Sequence, residues 1–347
     1  MSREIRGISE EAFVLTPSGY RKAGTILPGD AVVSESFRPV AVNGVAVNNE
    51  DSRIVRYRGS IPTAISSETR ILTRGGDDAA SASLGVPIQK IVRAYPWNGI
   101  EVSDGYHMKT RHELDSDNPV LWTLAGLFLR SGMLIMNTKG GRRKKYQGVS
   151  VYANAENVHF IEDTVGGRFS HTTYRNTSSW ESYTVMFYGV EVAAFMEAFG
   201  AVQKDKTIPL DALFLEKRLK RALIGGYMLC GTDELDTAKG VQKIVSGNVG
   251  FALGMSHLIE SVYGPISSIN EFVSGKRRTE AFGRSIDWNS FSELRFRTDG
   301  WLPQSVRAEE DYAWYPLVSD KEADENAFID LSVDGDEGII INRMVFL

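Results

Sequence analysis

Hydrophobic and polar positions alternate in short runs through residues 1–95, and Gly and Pro separate these runs. AFVLT precedes a turn at residues 17–19, AVVS follows a turn at residues 27–30, and residues 54–58 alternate again. Period-two alternation between turn-forming residues is typical of half-buried strands. This part of the chain is therefore predicted to be an all-β unit.

The middle of the chain changes to helical patterns. Asn118-Pro119 opens an apolar segment that ends at Gly132, and Pro is favoured at the first position of a helix. Ile208-Pro209 opens a second segment, which we predict to be one longer helix ending at Gly231. The two segments end in the nonamers LAGLFLRSG and LIGGYMLCG.

Each predicted helix is followed by a similar series of elements. Residues 182–189 alternate as a strand and residues 190–200 form a helix closed by Gly. After the second helix, residues 248–254 are matched to that strand and residues 255–264 to that helix. The same order occurring twice indicates an internal duplication of an αββα-like unit.

Strand patterns return after residue 303, and Asp334-Gly335 predicts a hairpin turn. The prediction is an α+β chain in which a β unit is interrupted by an insertion and completed at the C-terminal end. The predicted domains are 1–95 and 303–347 for the β unit and 96–302 for the insertion, with repeats at about 118–205 and 206–302.

Four segments in this order resemble an intein, or Hint domain, that carries a LAGLIDADG homing endonuclease. GISEEAFVLTPSGYRKAGTILPGDAVVS resembles the N-terminal intein block, IDLSVDGDEGIIIN resembles the C-terminal block, and each nonamer resembles LAGLIDADG. The resemblance implies an all-β, Hint-like horseshoe formed by both chain ends. It also implies an inserted pseudo-twofold αββαββ-type endonuclease-like domain.

The resemblance also implies positions for the splicing chemistry, and these positions are substituted. The first-residue nucleophile aligns with Gly7, the block His with Thr69 and the C-terminal block His with Glu337. Splicing needs a side-chain nucleophile, and Gly has none. Asn342 is expected within a strand, and Leu347 stands near the place of the terminal His, so self-splicing is not expected.

The endonuclease positions are substituted in the same way. The family's two metal-binding acids align with Ser131 and Cys230. A hydroxyl binds Mg²⁺ weakly and a thiol is too soft for it, so hydrolysis is not expected. Asp233 and Glu234 are candidates for shifted ligands, although a polar helix exit is the simpler interpretation. Small residues that would allow close helix packing remain in both nonamers: Ala125, Gly126, Gly225 and Gly226.

The composition of the chain argues against several classes of protein. Lys and Arg number 39 against 44 Asp and Glu, and the net charge of −5 is unusual for a dedicated DNA-binding protein. One cysteine excludes an intramolecular disulfide. The N-terminal residues lack an apolar signal segment, and the longest apolar stretch is too short to span a bilayer. A cytoplasmic protein is expected, or a virion component if the gene belongs to a phage.

Two basic clusters are candidates for contacting duplex DNA, with a solvated loop or a patch for an acidic partner as the alternative. The histidines lie at no spacing typical of zinc sites. The clusters comprise Lys139, Arg142, Arg143, Lys144 and Lys145 in the first, and Lys276, Arg277 and Arg278 in the second.

The leading hypothesis is a catalytically inactive scaffold reused as a structural or interaction module, with a phage virion or its assembly as the expected setting. Protein partners or self-association are expected, with no metal, cofactor, membrane or small-molecule substrate. One alternative is a non-cleaving, sequence-specific duplex DNA-binding protein. The other is a residual homing endonuclease with a rebuilt metal site, which would need carboxylates near the two helix ends.

Overall fold

A computed structural model describes most of the chain. The described residues are 2–66, 68–74, 83–87, 100–103, 109–112, 114–137, 145–177, 181–229, 240–264, 268–281, 284–299, 306–309 and 312–347. The fold is mixed, with helices and several antiparallel sheets, as the sequence predicts. The predicted boundaries near residues 95 and 303 lie outside the described residues.

The strands before the first helix are β1 Ser2–Ser9, β2 Phe13–Thr16, β3 Gly19–Lys22, β4 Ala31–Val33, β5 Pro39–Tyr57, β6 Thr63–Ser66, β7 Thr73–Arg74, β8 Ser83–Pro87, β9 Ile100–Ser103 and β10 Lys109–His112. The later strands are β11 Met133–Asn137, β12 Lys145–Asn154, β13 His171–Arg175, β14 Ser182–Tyr188, β15 Val241–Ser246, β16 Ser268–Ala281, β17 Arg284–Arg297, β18 Arg307–Ala308, β19 Tyr312–Asp334, β20 Ile339–Ile341 and β21 Met344–Phe346. The helices are α1 Pro119–Ser131, α2 Val158–Ile161, α3 Val190–Glu197, α4 Leu210–Leu213, α5 Lys217–Leu229 and α6 Val249–Tyr263.

Both ends of the chain build one β unit. β1 pairs antiparallel with β19, which also pairs with β5 along most of its length. β2 pairs with β20, so the N-terminal and C-terminal segments share a second sheet. Since the β1–β19 and β2–β20 pairings join residues more than 300 positions apart, the segment between them is inserted into the β unit.

The first repeat packs helices on one face of a four-stranded sheet in the order β11-β12-β14-β13. Val149, Val151, Val185 and Phe187 point to the helices and are fully buried. The second repeat has the described order β15-β17-β16, with α6 against Ile244, Ile269 and Leu294. Each repeat therefore has a helix-covered face and an opposite, open face.

The two nonamer helices pack against each other through glycine. A Cβ on Gly126 would lie closer than 3.0 Å to backbone atoms of Leu223 and Tyr227, and one on Gly226 would crowd the backbone of Thr123. Gly225, by contrast, faces open space. Two of the predicted small positions thus allow the close approach of α1 and α5, and Gly225 plays no part in it.

The structure corrects the predicted second helix. Residues 208–231 do not form one helix, because α4 ends at Leu213 and α5 begins at Lys217. The break falls at residues 214–216, where the amide of Leu219 bonds the carbonyl of Glu216 and starts a new helix. No Gly or Pro lies at this break, so the usual sequence signal is missing.

The structure also corrects the register of the repeat. Residues 248–254 are not a strand, since α6 starts after Asn248, whose side chain caps the amide of Phe251. Strand order instead matches β15 with β12, β17 with β14 and α6 with α2. The strand at residues 182–188 therefore corresponds to β17, and the predicted match to residues 248–254 was wrong.

Helix α6 joins the two units. It is buried on nearly all sides, between the second repeat and strand β3 of the β unit. The Tyr20 hydroxyl lies 2.8 Å from Nε2 of His257, and the fully buried Arg343 forms an ion pair of 2.5 Å with Glu260. Tyr315 donates a further hydrogen bond of 2.8 Å to Glu260.

Within the described ranges, no helix has both the length and the apolar character that crossing a bilayer would need.

Candidate functional site

Ser131 closes α1 at the first predicted acid position. Its hydroxyl donates a hydrogen bond of 3.0 Å to the carbonyl of Tyr152 and accepts one of 3.3 Å from the amide of the same residue. The side chain thus fastens the end of α1 to β12. A hydroxyl used in this way is poorly placed to bind a metal ion.

Arg130, the residue before Ser131, contacts helix α5. The Arg130 guanidinium stacks over the ring of Tyr227 at 5.3 Å and donates a hydrogen bond of 3.4 Å to its hydroxyl. The described residues contain no group of three or more His, Cys, Asp or Glu that could hold a metal ion. Cys230, Asp233 and Glu234 lie outside the described residues.

Gly7 lies where the two ends of the chain meet, in a left-handed conformation with φ of +67°. Its amide donates a hydrogen bond of 2.8 Å to Asp330, and its carbonyl accepts one of 2.8 Å from the Thr69 hydroxyl. A Cβ at this position would lie closer than 3.0 Å to Ser66 and Thr69. The site is therefore shaped around glycine, and a nucleophilic side chain does not fit it without rearrangement.

Asp330 was missed by the sequence reasoning, although it lies in the quoted C-terminal segment. Its carboxylate also accepts a hydrogen bond of 2.6 Å from Asn48. The structure thus brings Gly7, Thr69 and Asp330 together. The spacing of 323 residues between Gly7 and Asp330 gave no direct sequence signal for this contact.

Glu337 and Asn342 lie apart from this cluster. The Ser34 and Ser36 hydroxyls bond the Glu337 carboxylate and lower its pKa. The prediction that Asn342 lies in a strand was wrong. It lies in the turn between β20 and β21, where its φ is +47°. It accepts the amide of Phe13 and donates to Thr63, so it has a structural role.

Thr69 and Leu347 line one open crevice of about 470 Å³ in the β unit. The amide of Leu347 bonds the carbonyl of Arg70. The crevice wall is mainly apolar, with Val55, Ile65, Ile71 and Leu317 among its lining residues.

The open face of the first sheet carries no charge among its described side chains. Cross-strand partners point to the same face, and Met133, Ser150, Met186 and Thr172 form one such row. Tyr152, Thr184 and Tyr174 form the next row. Met133, Tyr152 and Tyr174 are 46%, 44% and 50% exposed, so this face is open to a ligand.

The open face of the second sheet is different, because it is charged. Lys243 and Arg295 are direct cross-strand partners, and both form ion pairs with Glu293, at 3.1 Å for Lys243. Arg297 lies further along the same strand and pairs with Asp299. The buried Glu293 holds Lys243 and Arg295 side by side on an exposed surface.

Some members of each predicted basic cluster fall on described strands of these two sheets. Lys145 is the first residue of β12, and Lys139, Arg142, Arg143 and Lys144 fall outside the described residues, between β11 and β12. Lys276, Arg277 and Arg278 lie on β16, paired with the part of β17 around Trp288. The described members of the two clusters therefore belong to different repeat sheets.

The net charge of −5 is unevenly distributed along the sequence. Residues 1–74 and 306–347 contain 13 Lys or Arg against 19 Asp or Glu, whereas residues 75–305 contain 26 against 25. The acidic excess thus belongs to the β unit. The net charge of the whole chain therefore does not describe the repeat sheets.

Sequence reasoning did not identify the residues of the open faces. The alternation of residues 182–188 marked one strand, and the same signal in residues 149–154 would have marked its neighbour. Which strands lie side by side depends on pairings such as Val151 with Val185, and these cannot be deduced from alternation alone.

Comparison with known proteins gives structural neighbours only. No family model matches the chain, and no curated protein matches it. Among solved structures, mesophilic variants of the homing endonuclease I-DmoI are similar, with 14% identity, a TM-score of 0.33, and coverage of 51% of this chain and 88% of theirs.

Two further neighbours are complexes with DNA. I-DmoI in complex with DNA and Ca shares 13% identity at a TM-score of 0.34, covering 51% of this chain and 82% of that chain. The homing endonuclease I-WcaI bound to its DNA recognition sequence shares 10% identity at a TM-score of 0.32, covering 52% and 76%. At such low sequence identities and TM-scores, the substrates and reactions of those proteins are not assigned to this chain.

Proposed function

We propose that this chain binds duplex DNA without cleaving it, through the open faces and hairpins of the two repeat sheets. The observation that carries the proposal is that Lys276, Arg277 and Arg278 lie on the β16–β17 hairpin of one repeat sheet, and that Lys145 begins β12 of the other, where it pairs with β11. Lys and Arg side chains on such hairpins would neutralise phosphates on either side of the faces, and phosphate contacts supply most of the affinity for DNA.

The charge distribution supports this proposal. The acidic residues that make the whole chain negative are concentrated in the β unit, and the described part of the first open face has no carboxylate to repel a phosphate backbone. A two-stranded β-ribbon also fits the major groove of B-form DNA. The repeat sheets supply such strands side by side.

The absence of cleavage is inferred from the end of α1. Metal-assisted hydrolysis of a phosphodiester needs carboxylates that hold a divalent cation. Here the hydroxyl of Ser131 bonds the backbone of Tyr152, and a hydroxyl is a weak ligand for Mg²⁺.

Binding would be measured by fluorescence anisotropy of the full chain with random 30–40 base-pair duplexes (roughly three turns) at several salt concentrations. We expect affinity to fall steeply with salt, as counterion release requires. The triple variant Lys276→Ser, Arg277→Ser, Arg278→Ser should bind more weakly and with a smaller salt slope, lowered by about one for each lost phosphate contact.

The matched control removes three exposed charges from the β unit, as Lys22→Ser, Arg38→Ser, Arg70→Ser. It changes the net charge equally and should leave binding nearly unchanged. Equal losses in both variants, or no salt-dependent binding by the unaltered chain, would refute the proposal. Incubation with Mg²⁺ or Mn²⁺ should leave a supercoiled plasmid intact, and a nicked product would contradict the non-cleaving part.

A second candidate function is an interaction module that binds protein, as the sequence analysis favoured. It is supported by the exposed Met133, Tyr152 and Tyr174, because Met and Tyr are enriched at protein interfaces. Light scattering over a concentration series tests its self-associating form. A dimer that dissociates in the variant Tyr152→Ser, Tyr174→Ser would favour this candidate over DNA binding.

A further inference from the structure

Helix α6 is buried and mainly apolar on nearly all of its sides. A helix at a protein surface buries one apolar stripe, and that stripe fixes the rotation of the helix about its own axis. α6 has no such single stripe, because it packs against α5, the second repeat sheet and β3 at once. Apolar burial therefore does little to distinguish one rotation of α6 from another.

Polar contacts do distinguish these rotations. On the side of the β unit, His257 bonds the Tyr20 hydroxyl, and Glu260, almost one turn later, forms its ion pair with the turn that precedes β21. Ser261 projects about 100° further around the helix than Glu260, and its hydroxyl accepts a hydrogen bond of 3.0 Å from Lys220 of α5. Any large rotation of α6 would break all three contacts together.

The ion-pair partner of Glu260 occupies a costly position. Asn342 and Arg343 form the two-residue turn between β20 and β21, with φ of +47° and +72°. Glycine is preferred at the second position of such a turn, because a Cβ is strained there. Nε and Nη1 of Arg343 are also buried without a hydrogen-bond partner among the residues that the structure describes. Stability alone therefore does not explain an arginine at this position.

We infer that His257 with Tyr20, and Glu260 with Arg343, form a register lock that specifies one rotation of α6 about its own axis. The lock contributes specificity of packing and little net stability, because the cost of removing two charges from water offsets much of their attraction. The second repeat sheet packs on α6, so the lock also fixes where that sheet lies against the β unit. This inference does not depend on the proposed duplex binding.

The test replaces the ion pair by apolar side chains of similar size in the full chain. The triple variant Glu260→Met, Tyr315→Phe, Arg343→Met removes both charges together with the hydroxyl that bonds Glu260. Because no charge is left buried alone, we expect the midpoint of urea unfolding to be unchanged or higher. Amide hydrogen exchange in α6 should nevertheless become faster, by about tenfold or more, because the helix samples several rotations.

Methyl NMR of the buried Leu258 and Ile259 reports the rotation directly. Each methyl group should give one sharp signal in the unaltered chain and split or broadened signals in the triple variant. The double variant Tyr20→Phe, His257→Leu removes the second contact of the lock and should broaden the same signals. Ser256→Ala is the matched control, since this buried hydroxyl donates to the carbonyl of Leu253 in the same helix. Its methyl signals should stay single.

Sharp single signals and unchanged amide exchange in the triple variant would overturn the lock, because apolar packing would then suffice to fix α6. A clearly lower urea midpoint in that variant would also overturn it, since the cluster would then act as a source of stability. Sharp signals in the double variant alone would exclude His257 from the lock. Broadening in the Ser256→Ala control would show that any change in α6 loosens it, and the lock would again be refuted.

Discussion

Replacing Gly126 by Ala tests the close approach of α1 and α5. An added Cβ would lie closer than 3.0 Å to the backbone of Leu223 and Tyr227, and backbone atoms cannot turn away as a side chain can. The helices would have to separate, at an overpacking cost of about 3 kcal/mol. Alanine gains about 1 kcal/mol over glycine inside a helix, so the net destabilisation is about 2 kcal/mol.

Gly225→Ala is the matched control, since it lies on the same helix pair but faces open space. It should stabilise the chain by about 1 kcal/mol through helix propensity alone. Urea unfolding followed by circular dichroism and by tryptophan fluorescence would measure both variants. If Gly126→Ala is as stable as Gly225→Ala, α1 and α5 are not packed through Gly126, and the close approach of the two helices is refuted.

Three other changes test buried groups. Burial lowers the pKa of Lys206 to about 7. Between pH 7 and 10 the unfolded chain therefore binds more protons than the folded chain, so the free energy of unfolding should rise with pH. In urea titrations, Lys206→Met should remove this pH dependence and stabilise the chain at pH 7 by about 1–3 kcal/mol. Arg343→Met should destabilise by about 3–5 kcal/mol, because it leaves Glu260 buried without its ion-pair partner, and Glu260→Gln in the same chain should recover part of this loss in calorimetry. Gly7→Ala should lower the free energy of unfolding, measured by urea titration, by about 2 kcal/mol. No loss would show that the contacts with Ser66 and Thr69 are looser than described.

Local signals in the sequence were sufficient to predict α1, the helix that contains the first nonamer. Asn118 caps it by accepting the amide of Val120, and Pro119 occupies its first turn, as the pattern predicted. The prediction of a β unit interrupted by an insertion rested on strand patterns at both ends of the chain. These features depend on short-range chemistry or on composition, and both can be recognised without knowing the fold.

The errors arose where burial or distant contacts decide the structure. Residues 248–254 alternate like a strand, yet they lie in α6, which is buried on nearly all sides and therefore lacks the polar stripe of an ordinary surface helix. Which residues share an open face depends on the order in which the strands pair within each sheet. The contact of Gly7 with Asp330 depends on pairing between the two ends of the chain.

The position of α6 also limits how this gene could lose a part of its protein. A deletion that removed the second repeat would take away Glu260 and His257, and it would leave Arg343 and Tyr20 of the remaining unit without their buried partners. The shortened product would expose an unpaired charge and apolar surface, so it would be prone to aggregation. A single-residue replacement outside α6 and its partners would leave these buried contacts intact.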